Sequence, residues 1–179
     1  MKAFKFFFFA VAMFFALNAS AQFATASSSK SSGSNEKGTR VLIDVRFGGI
    51  DMGIKKGGFG LTFGGEKRFN DYIAWDFINI EYSAPFNSPE YWDVLSFKTG
   101  LRGFSPSFAS DNLRAYTNLA VGYTCILVGE RRYLYAEHAF GLTFGVGLQY
   151  KKTFSLGYTL QWENQWKTKN HFATLGFAF

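Results

Sequence analysis

The feature that most constrains the fold of this chain is an alternation of side chains with a period of two. It is clearest in the adjacent segments FGLTFGVGLQY, residues 140–150, and TFSLGYTLQW, residues 153–162. Every second residue there is large and apolar, and those between are Gly, Thr, Ser or Gln. An extended strand sends alternate side chains to opposite faces, whereas a helix would scatter both sets around its circumference. The two segments are therefore predicted to form an antiparallel hairpin, connected through Lys151 and Lys152.

The same alternation divides the chain from Thr39 to Phe179 into eight predicted strands. Their approximate bounds are 39–49, 58–69, 72–83, 92–104, 112–128, 133–150, 153–164 and 170–179. The third segment, YIAWDFINIEYS, changes phase in its middle. A β-bulge near Phe77 would keep its large apolar residues on one face and place Asn79 and Glu81 on the other.

The first residues have the composition of an export signal. Lys2 and Lys5 precede an apolar run over residues 6–17, and small residues follow it. That run is shorter than the roughly 20 residues that span a bilayer, so residues 1–21 are predicted to be a cleaved secretory signal peptide. Residues 22–38 are rich in Ser and predicted to be a flexible leader, and residues 39–179 the barrel domain described below.

Composition excludes several classes of function. The formal net charge is +6, but lysines and arginines are spread along the chain, which disfavours a nucleic-acid partner. The single cysteine, Cys125, excludes an intramolecular disulfide and a CxxC metal site. The sequence indicates no cofactor and no metal ligands, and it contains no glycine-rich phosphate-binding motif.

Two architectures accommodate eight amphipathic strands. In a soluble β-sandwich the apolar faces meet in a core, whereas in a membrane barrel they meet lipid and the polar faces line the lumen. The minority face here is largely Gly, Ser, Thr and Ala, which suits the cramped interior of an eight-stranded barrel. We therefore expect an all-β fold: an eight-stranded antiparallel up-and-down transmembrane β-barrel with sequential strand order and periplasmic termini.

Charged residues share the polar face of these strands, and in a lumen shielded by lipid they would have to pair. We expect Lys98 to bridge Glu81, and Glu66 to serve Arg68, Arg102 or Arg114. The predicted polar network of the lumen comprises Asp44, Arg46, Glu66, Arg68, Glu81, Lys98, Arg102, Arg114 and Glu163.

Aromatic and basic residues are expected at the two ends of such a barrel. Two girdles of aromatic side chains mark the membrane interfaces of a barrel. The predicted interface aromatics are Tyr72, Trp75, Tyr82, Trp92, Tyr123, Tyr150, Trp162 and Phe179. The predicted outer loops carry a ring of basic residues: Lys55, Lys56, Arg131, Arg132, Lys167 and Lys169.

With its signal peptide, its eight alternating segments and its ending TLGFAF, the chain resembles the small eight-stranded outer-membrane β-barrel family that includes OmpX and the barrel portion of OmpA. The resemblance implies a monomer in the outer membrane of a Gram-negative bacterium. Leu175, Phe177 and Phe179 resemble the C-terminal signal by which the barrel assembly machinery recognises such chains. The long fifth and sixth strands resemble the protruding sheet of OmpX.

The resemblance implies a structural or surface-interaction protein and not an enzyme. Its lumen would be filled with side chains, and its outer loops would contact lipopolysaccharide or external partners. One alternative is an outer-membrane enzyme that modifies lipid A. His171 could pair with Glu163 there, but Glu137 and His138 are adjacent and would face opposite sides of a strand. The other alternative is a secreted soluble β-sandwich adhesin.

Overall fold

The computed structural model describes residues 38–51, 55–86, 91–108, 112–130, 133–164 and 168–179. The predicted signal peptide and all of the leader except Gly38 lie outside these residues. Within them, no helix is long and apolar enough to cross a membrane. The strands are β1 (Thr39–Asp51), β2 (Lys55–Arg68), β3 (Ile73–Pro85), β4 (Tyr91–Phe104), β5 (Leu113–Glu130), β6 (Tyr133–Tyr150), β7 (Phe154–Glu163) and β8 (Thr168–Ala178).

The eight strands form one closed antiparallel barrel in sequential order. Each strand pairs with the next along the chain, and β8 closes the barrel by pairing with β1 from Leu42↔Ala178 to Gly49↔His171. Closure removes the unpaired strand edges that an open sheet would expose. The predicted fold class is confirmed, and the two-sheet sandwich is excluded as the architecture of these strands.

The phase change in β3 is a bulge, as predicted. Gly65 of β2 pairs with Ile78 and the next residue of β2 pairs with Asp76, so Phe77 is the extra residue. The side chains of Phe77 and Ile78 are both exposed on the outer face, while Asn79 is buried inside. The ring of Phe77 lies where a β-carbon on Gly65 would have to be. The bulge therefore covers a glycine on the outer face as well as correcting the phase.

Two tight turns fix the register at one end of the barrel. Lys151 and Lys152 both have positive φ, 48° and 59°, and the amide of Thr153 donates to the carbonyl of Tyr150 at 3.1 Å. Positive φ at both central residues is the conformation of a type I′ turn, whose twist matches that of a hairpin. Between β2 and β3, Asn70 Oδ1 accepts hydrogen bonds from two backbone amides, each at 2.8 Å. We call this end, which also carries Gly38 and Ala178, the terminal end.

The barrel exposes apolar side chains and buries polar ones. Leu101 is 58% exposed and Leu156 55%, whereas Glu66 and Glu163 are fully buried. Aromatic side chains lie on the outer face near both ends. Near the terminal end, Tyr72, Trp75 and Tyr150 are exposed. Towards the opposite end, Tyr123 is exposed, while Tyr82 and Trp162 are half-buried. The side chain of Trp92 is not among the described ones.

Candidate functional site

Many polar and charged side chains of the described residues converge in the interior of the barrel, and Glu81 of β3 contacts several of them. Glu81 Oε2 accepts hydrogen bonds from Lys98 Nζ at 2.9 Å, Thr143 Oγ1 at 3.1 Å and Gln161 Nε2 at 2.7 Å. Its other oxygen pairs with Arg46 Nη2 at 3.3 Å. One carboxylate thereby joins side chains from β1, β4, β6 and β7 to its own strand.

A glycine makes room for this cluster. A β-carbon at Gly141 would collide with the hydroxyl of Thr124 and lie 2.9 Å from Cε of Lys98. A side chain at position 141 would force the Thr124 hydroxyl and the end of Lys98, which bonds Glu81 on the neighbouring strand, to move. The small residues on the polar face thus have a packing role.

A second cluster, nearer the terminal end, is built on two carboxylates and two guanidiniums. Arg68 Nε pairs with Glu66 Oε1 at 2.8 Å, and Arg102 Nη2 pairs with Asp76 Oδ2 at 3.2 Å. Arg102 Nε also lies 3.7 Å from Glu66 Oε2. Asp44, which is 3.8 Å from Arg46, lies between the two clusters in β1. Asp76 was not among the predicted lumen residues, although the alternation around Trp75 places it on the polar face.

Arginine and aromatic side chains form the floor of the lumen at the terminal end. The guanidiniums of Arg68 and Arg114 stack on the ring of Phe104 at 4.5 and 4.2 Å from its centroid. Arg102 lies over the ring of Tyr116 at 5.5 Å. Such contacts stabilise buried cations by about 0.5–2 kcal/mol each.

An apolar cluster fills the opposite end of the lumen. It comprises Ile50, Val94, Ile126, Val128, Ala139 and Phe172, all of them buried. These residues have the inward parity of their strands. On β1, β4 and β5 they lie farther from the terminal end than the buried charged residues of the same strand, whereas the buried carboxylate of Glu163 lies at their own end. The polar faces were predicted to line the lumen, so this cluster, which we call the apolar cap, is a departure from the prediction.

The buried charges balance. Among the described residues, five cationic side chains (Arg46, Arg68, Lys98, Arg102 and Arg114) and five carboxylates (Asp44, Glu66, Asp76, Glu81 and Glu163) are buried. An isolated ion in such an environment would cost several kcal/mol, and pairing offsets that cost. The formal charges of these ten buried side chains therefore cancel.

The structure places the other predicted site residues as follows. All nine predicted lumen residues are buried inside the barrel. Of the predicted basic ring, Lys169 is exposed and Lys56 is half-buried. Lys55 begins β2, but its side chain is not among the described ones. Arg131, Arg132 and Lys167 lie outside the described residues. Leu175 and Phe177 are exposed on β8, and Phe179 follows the strand.

The pairing of His171 with Glu163 considered for a catalytic site is wrong. His171 lies on the outer face, where its Nδ1 is hydrogen-bonded to the hydroxyl of Tyr158, while Glu163 is buried in the lumen. His138 is likewise exposed and hydrogen-bonded through Nδ1 to Tyr123. Over the described part of the chain, no group of three or more His, Cys, Asp or Glu residues could hold a metal ion.

The fold is similar to those of two solved bacterial proteins. Neisserial surface protein A is 14% identical, with a TM-score of 0.65 over 78% of this chain and 95% of that one. The N-terminal β-barrel domain of Pseudomonas aeruginosa OprF is also 14% identical, with a TM-score of 0.51 over 82% of this chain and 100% of that one. No family model and no curated protein sequence matches the chain. The similarity is one of fold.

Proposed function

We propose that this protein is an integral outer-membrane barrel of the surface-interaction type, with its termini in the periplasm and its lumen filled by side chains. The observation that carries the proposal is the inverted distribution of polarity. Leu101 and Leu119 are at least half exposed at the middle of the barrel wall, while ten charged side chains are buried within. Water is a poor solvent for that exterior, whereas acyl chains suit it.

Insertion in a membrane is tested by extraction and by gel mobility. We expect the protein to stay with the outer-membrane fraction in aqueous buffer, to require detergent, and to migrate differently before and after boiling. Release into buffer from washed membranes would contradict the proposal. Protease cleavage at the terminal end only after the outer membrane is opened would support periplasmic termini, and cleavage there on intact cells would contradict them.

The filled lumen favours a structural role over transport. Paired charges occupy its middle, and the apolar cap occupies the end opposite the termini. A barrel of eight strands has an interior just wide enough for side chains. We therefore propose that the functional surface is formed by the loops opposite the terminal end and not by a solute pathway.

The proposed ligand of those loops is lipopolysaccharide, held through its phosphates by the predicted basic ring. The exposed side chain of Lys169 lies on the outer face two residues from His171, opposite Trp162 in the β7–β8 pairing. A cation beside an aromatic residue at a membrane interface is well placed for a lipid phosphate. The other members of the basic ring are included because their sequence positions place them in the predicted outer loops.

The test compares two sets of lysine and arginine substitutions. Changing Lys55, Lys56, Arg131, Arg132, Lys167 and Lys169 to Gln should reduce the lipopolysaccharide that copurifies with the protein. The control changes Lys67, Lys151 and Lys152 at the terminal end to Gln, which removes cations from the other side and should leave copurification unaltered. Equal lipopolysaccharide content in both variants and the parent would exclude contact through the ring.

We propose a non-enzymatic protein that reaches the membrane as a monomer through the barrel assembly machinery, by way of Leu175, Phe177 and Phe179. Each histidine is hydrogen-bonded to a tyrosine on the outer face, and neither is bonded to a carboxylate of the described residues, so the usual orientation of a catalytic base is not set up there. Lipid A mass spectra from cells with and without the gene should be identical. A change in acylation would establish the enzymatic alternative.

A further inference from the structure

Two arginines at the floor of the lumen share a single neutral acceptor. Gln149 Oε1 accepts a hydrogen bond from Arg68 Nη2 at 3.3 Å and from Arg114 Nε at 2.9 Å. Both guanidiniums stack on the ring of Phe104. Two cations are thereby held side by side around one neutral oxygen, and in the described part of the chain Glu66, on Arg68, is the one carboxylate that pairs with either of them.

The hydrogen bonds of this arginine pair are incomplete. Arg68 Nη1 is buried and has no hydrogen-bond partner, although the side chain is only 2% exposed. Arg114 forms no ion pair with a carboxylate of the described residues. Its Nη2 also donates to Gln149 Oε1, at 2.5 Å, and its Nη1 donates to the backbone carbonyl of Asp71, at 3.3 Å. A buried donor left without an acceptor costs about 1–3 kcal/mol, and more when it is charged. Arg114 and the Nη1 atom of Arg68 therefore have no anionic acceptor among the described residues.

The surroundings add positive charge and space. Glu66, the carboxylate nearest to Arg68, is shared with Arg102. Most charged residues at the terminal rim are basic. Within the described ranges they are Arg40, Lys67, Lys151 and Lys152, and Asp71 is the one acidic residue. A cavity of about 300 Å³ at the terminal rim has Arg68 in its wall, together with Gly38, Thr39, Lys67 and Phe69. That volume is at the lower end of the range for small-ligand pockets.

We propose that the floor of the lumen binds a phosphate oxyanion between the guanidiniums of Arg68 and Arg114. The planar fork of a guanidinium matches the spacing of two phosphate oxygens, and an ionised acceptor roughly doubles the strength of each hydrogen bond. A free phosphate and the headgroup of an anionic phospholipid present the same chemistry. The site lies at the end opposite the basic ring, so it does not depend on the contact with lipopolysaccharide.

The experiment is calorimetric titration of the whole purified chain in a non-ionic detergent, at constant ionic strength. The probes are inorganic phosphate and a short-chain phosphatidylglycerol, with chloride as the reference anion. Saturable binding of one molecule of either probe is expected. Binding of inorganic phosphate alone would identify a free anion, and binding of the phosphatidylglycerol alone would identify a lipid headgroup. Failure of both probes to exceed chloride would overturn the proposal.

Variants tie the binding to the arginine pair. Arg114→Gln should weaken the affinity at least about tenfold, the value expected for losing a hydrogen bond to a charged group. Lys151→Gln removes an exposed cation from the same rim and should change the affinity by no more than about twofold, because salt screens exposed charges. Equal affinities for the parent and Arg114→Gln would refute the site. If Arg114→Gln does not fold, as judged by boiling-dependent mobility, Arg68→Lys replaces it. That variant keeps the charge but loses the planar guanidinium, so an unchanged affinity would also refute the site.

Discussion

Replacing Glu81 by Gln tests whether the buried charges form an interdependent network. Glutamine keeps the size of the side chain and can still bond Thr143 and Gln161. It removes the negative charge that faces Lys98 at 2.9 Å and Arg46 at 3.3 Å. Arg46 retains Asp44 at 3.8 Å, whereas Lys98 has no other carboxylate within pairing distance among the described residues. The variant therefore strands Lys98 as a buried cation.

The expected magnitude follows from that difference. Breaking a buried pair by removing one partner costs about 3–5 kcal/mol, because the remaining charge is desolvated without compensation. Removing both members, in Glu81→Gln combined with Lys98→Met, leaves no stranded lysine and should recover at least about 2 kcal/mol relative to the sum of the single changes. Lys67→Met removes an exposed lysine of β2 and should alter stability by no more than about 0.5 kcal/mol.

The assay is equilibrium unfolding in urea of the protein refolded into lipid vesicles. Tryptophan fluorescence and the boiling-dependent gel shift give two independent measures of the folded fraction. The parent, both single variants, the double variant and Lys67→Met form one double-mutant cycle with its control. Additivity of Glu81→Gln and Lys98→Met within about 0.5 kcal/mol would refute the idea that these two side chains depend on each other inside the barrel.

Three further substitutions, two of them with a matched control, examine the wall, its glycines and the apolar cap by the same unfolding measurement. Leu119→Arg should cost about 2–4 kcal/mol if the outer face meets lipid, and a change below about 0.5 kcal/mol would show that it meets water. Gly122→Ala places a β-carbon against backbone atoms of β4 and should cost about 1–3 kcal/mol. At Gly103 the nearest atom to an added β-carbon is Thr117 Cγ2, 3.6 Å away, so Gly103→Ala should stabilise the fold by up to about 1 kcal/mol. Equal effects at the two glycines would contradict steric crowding at Gly122. Phe172→Ala, inside the cap, should cost about 3–5 kcal/mol, well above the cost of Phe177→Ala on the outer face, and similar losses in the two would argue against a packed cap.

The alternation of side chains predicted most of the fold, because it follows directly from the geometry of an extended strand. Each segment with period two became a strand, and the change of phase in β3 correctly indicated a bulge at Phe77. Parity also separates inward from outward positions. Parity places Asp76 inside the barrel, although the interpretation of the sequence overlooked that residue. It places His171 outside the barrel, so His171 could not reach Glu163.

Parity does not give height along the barrel axis, and this is where the sequence was insufficient. The lumen contains an arginine floor, two charged clusters and an apolar cap, but Ile126 and Arg114 have the same parity on β5. The pairing of each acid with a base depends on the register summed over every intervening strand. Arg46 meets Glu81 across β2, and Gln161 meets the same carboxylate across the lumen. No local pattern specifies such contacts.

The connections of Glu81 have a consequence for how the molecule is assembled. Its partners Arg46, Thr143 and Gln161 lie 35, 62 and 80 residues away along the chain and belong to the first, sixth and seventh strands. The ion pairs of Glu81 with Arg46 and Lys98 need only the first four strands, whereas its hydrogen bonds from Thr143 and Gln161 form only after the sheet has curled round. Biogenesis should consequently be slow, because this carboxylate acquires its full set of partners only when the late strands are brought over the early ones.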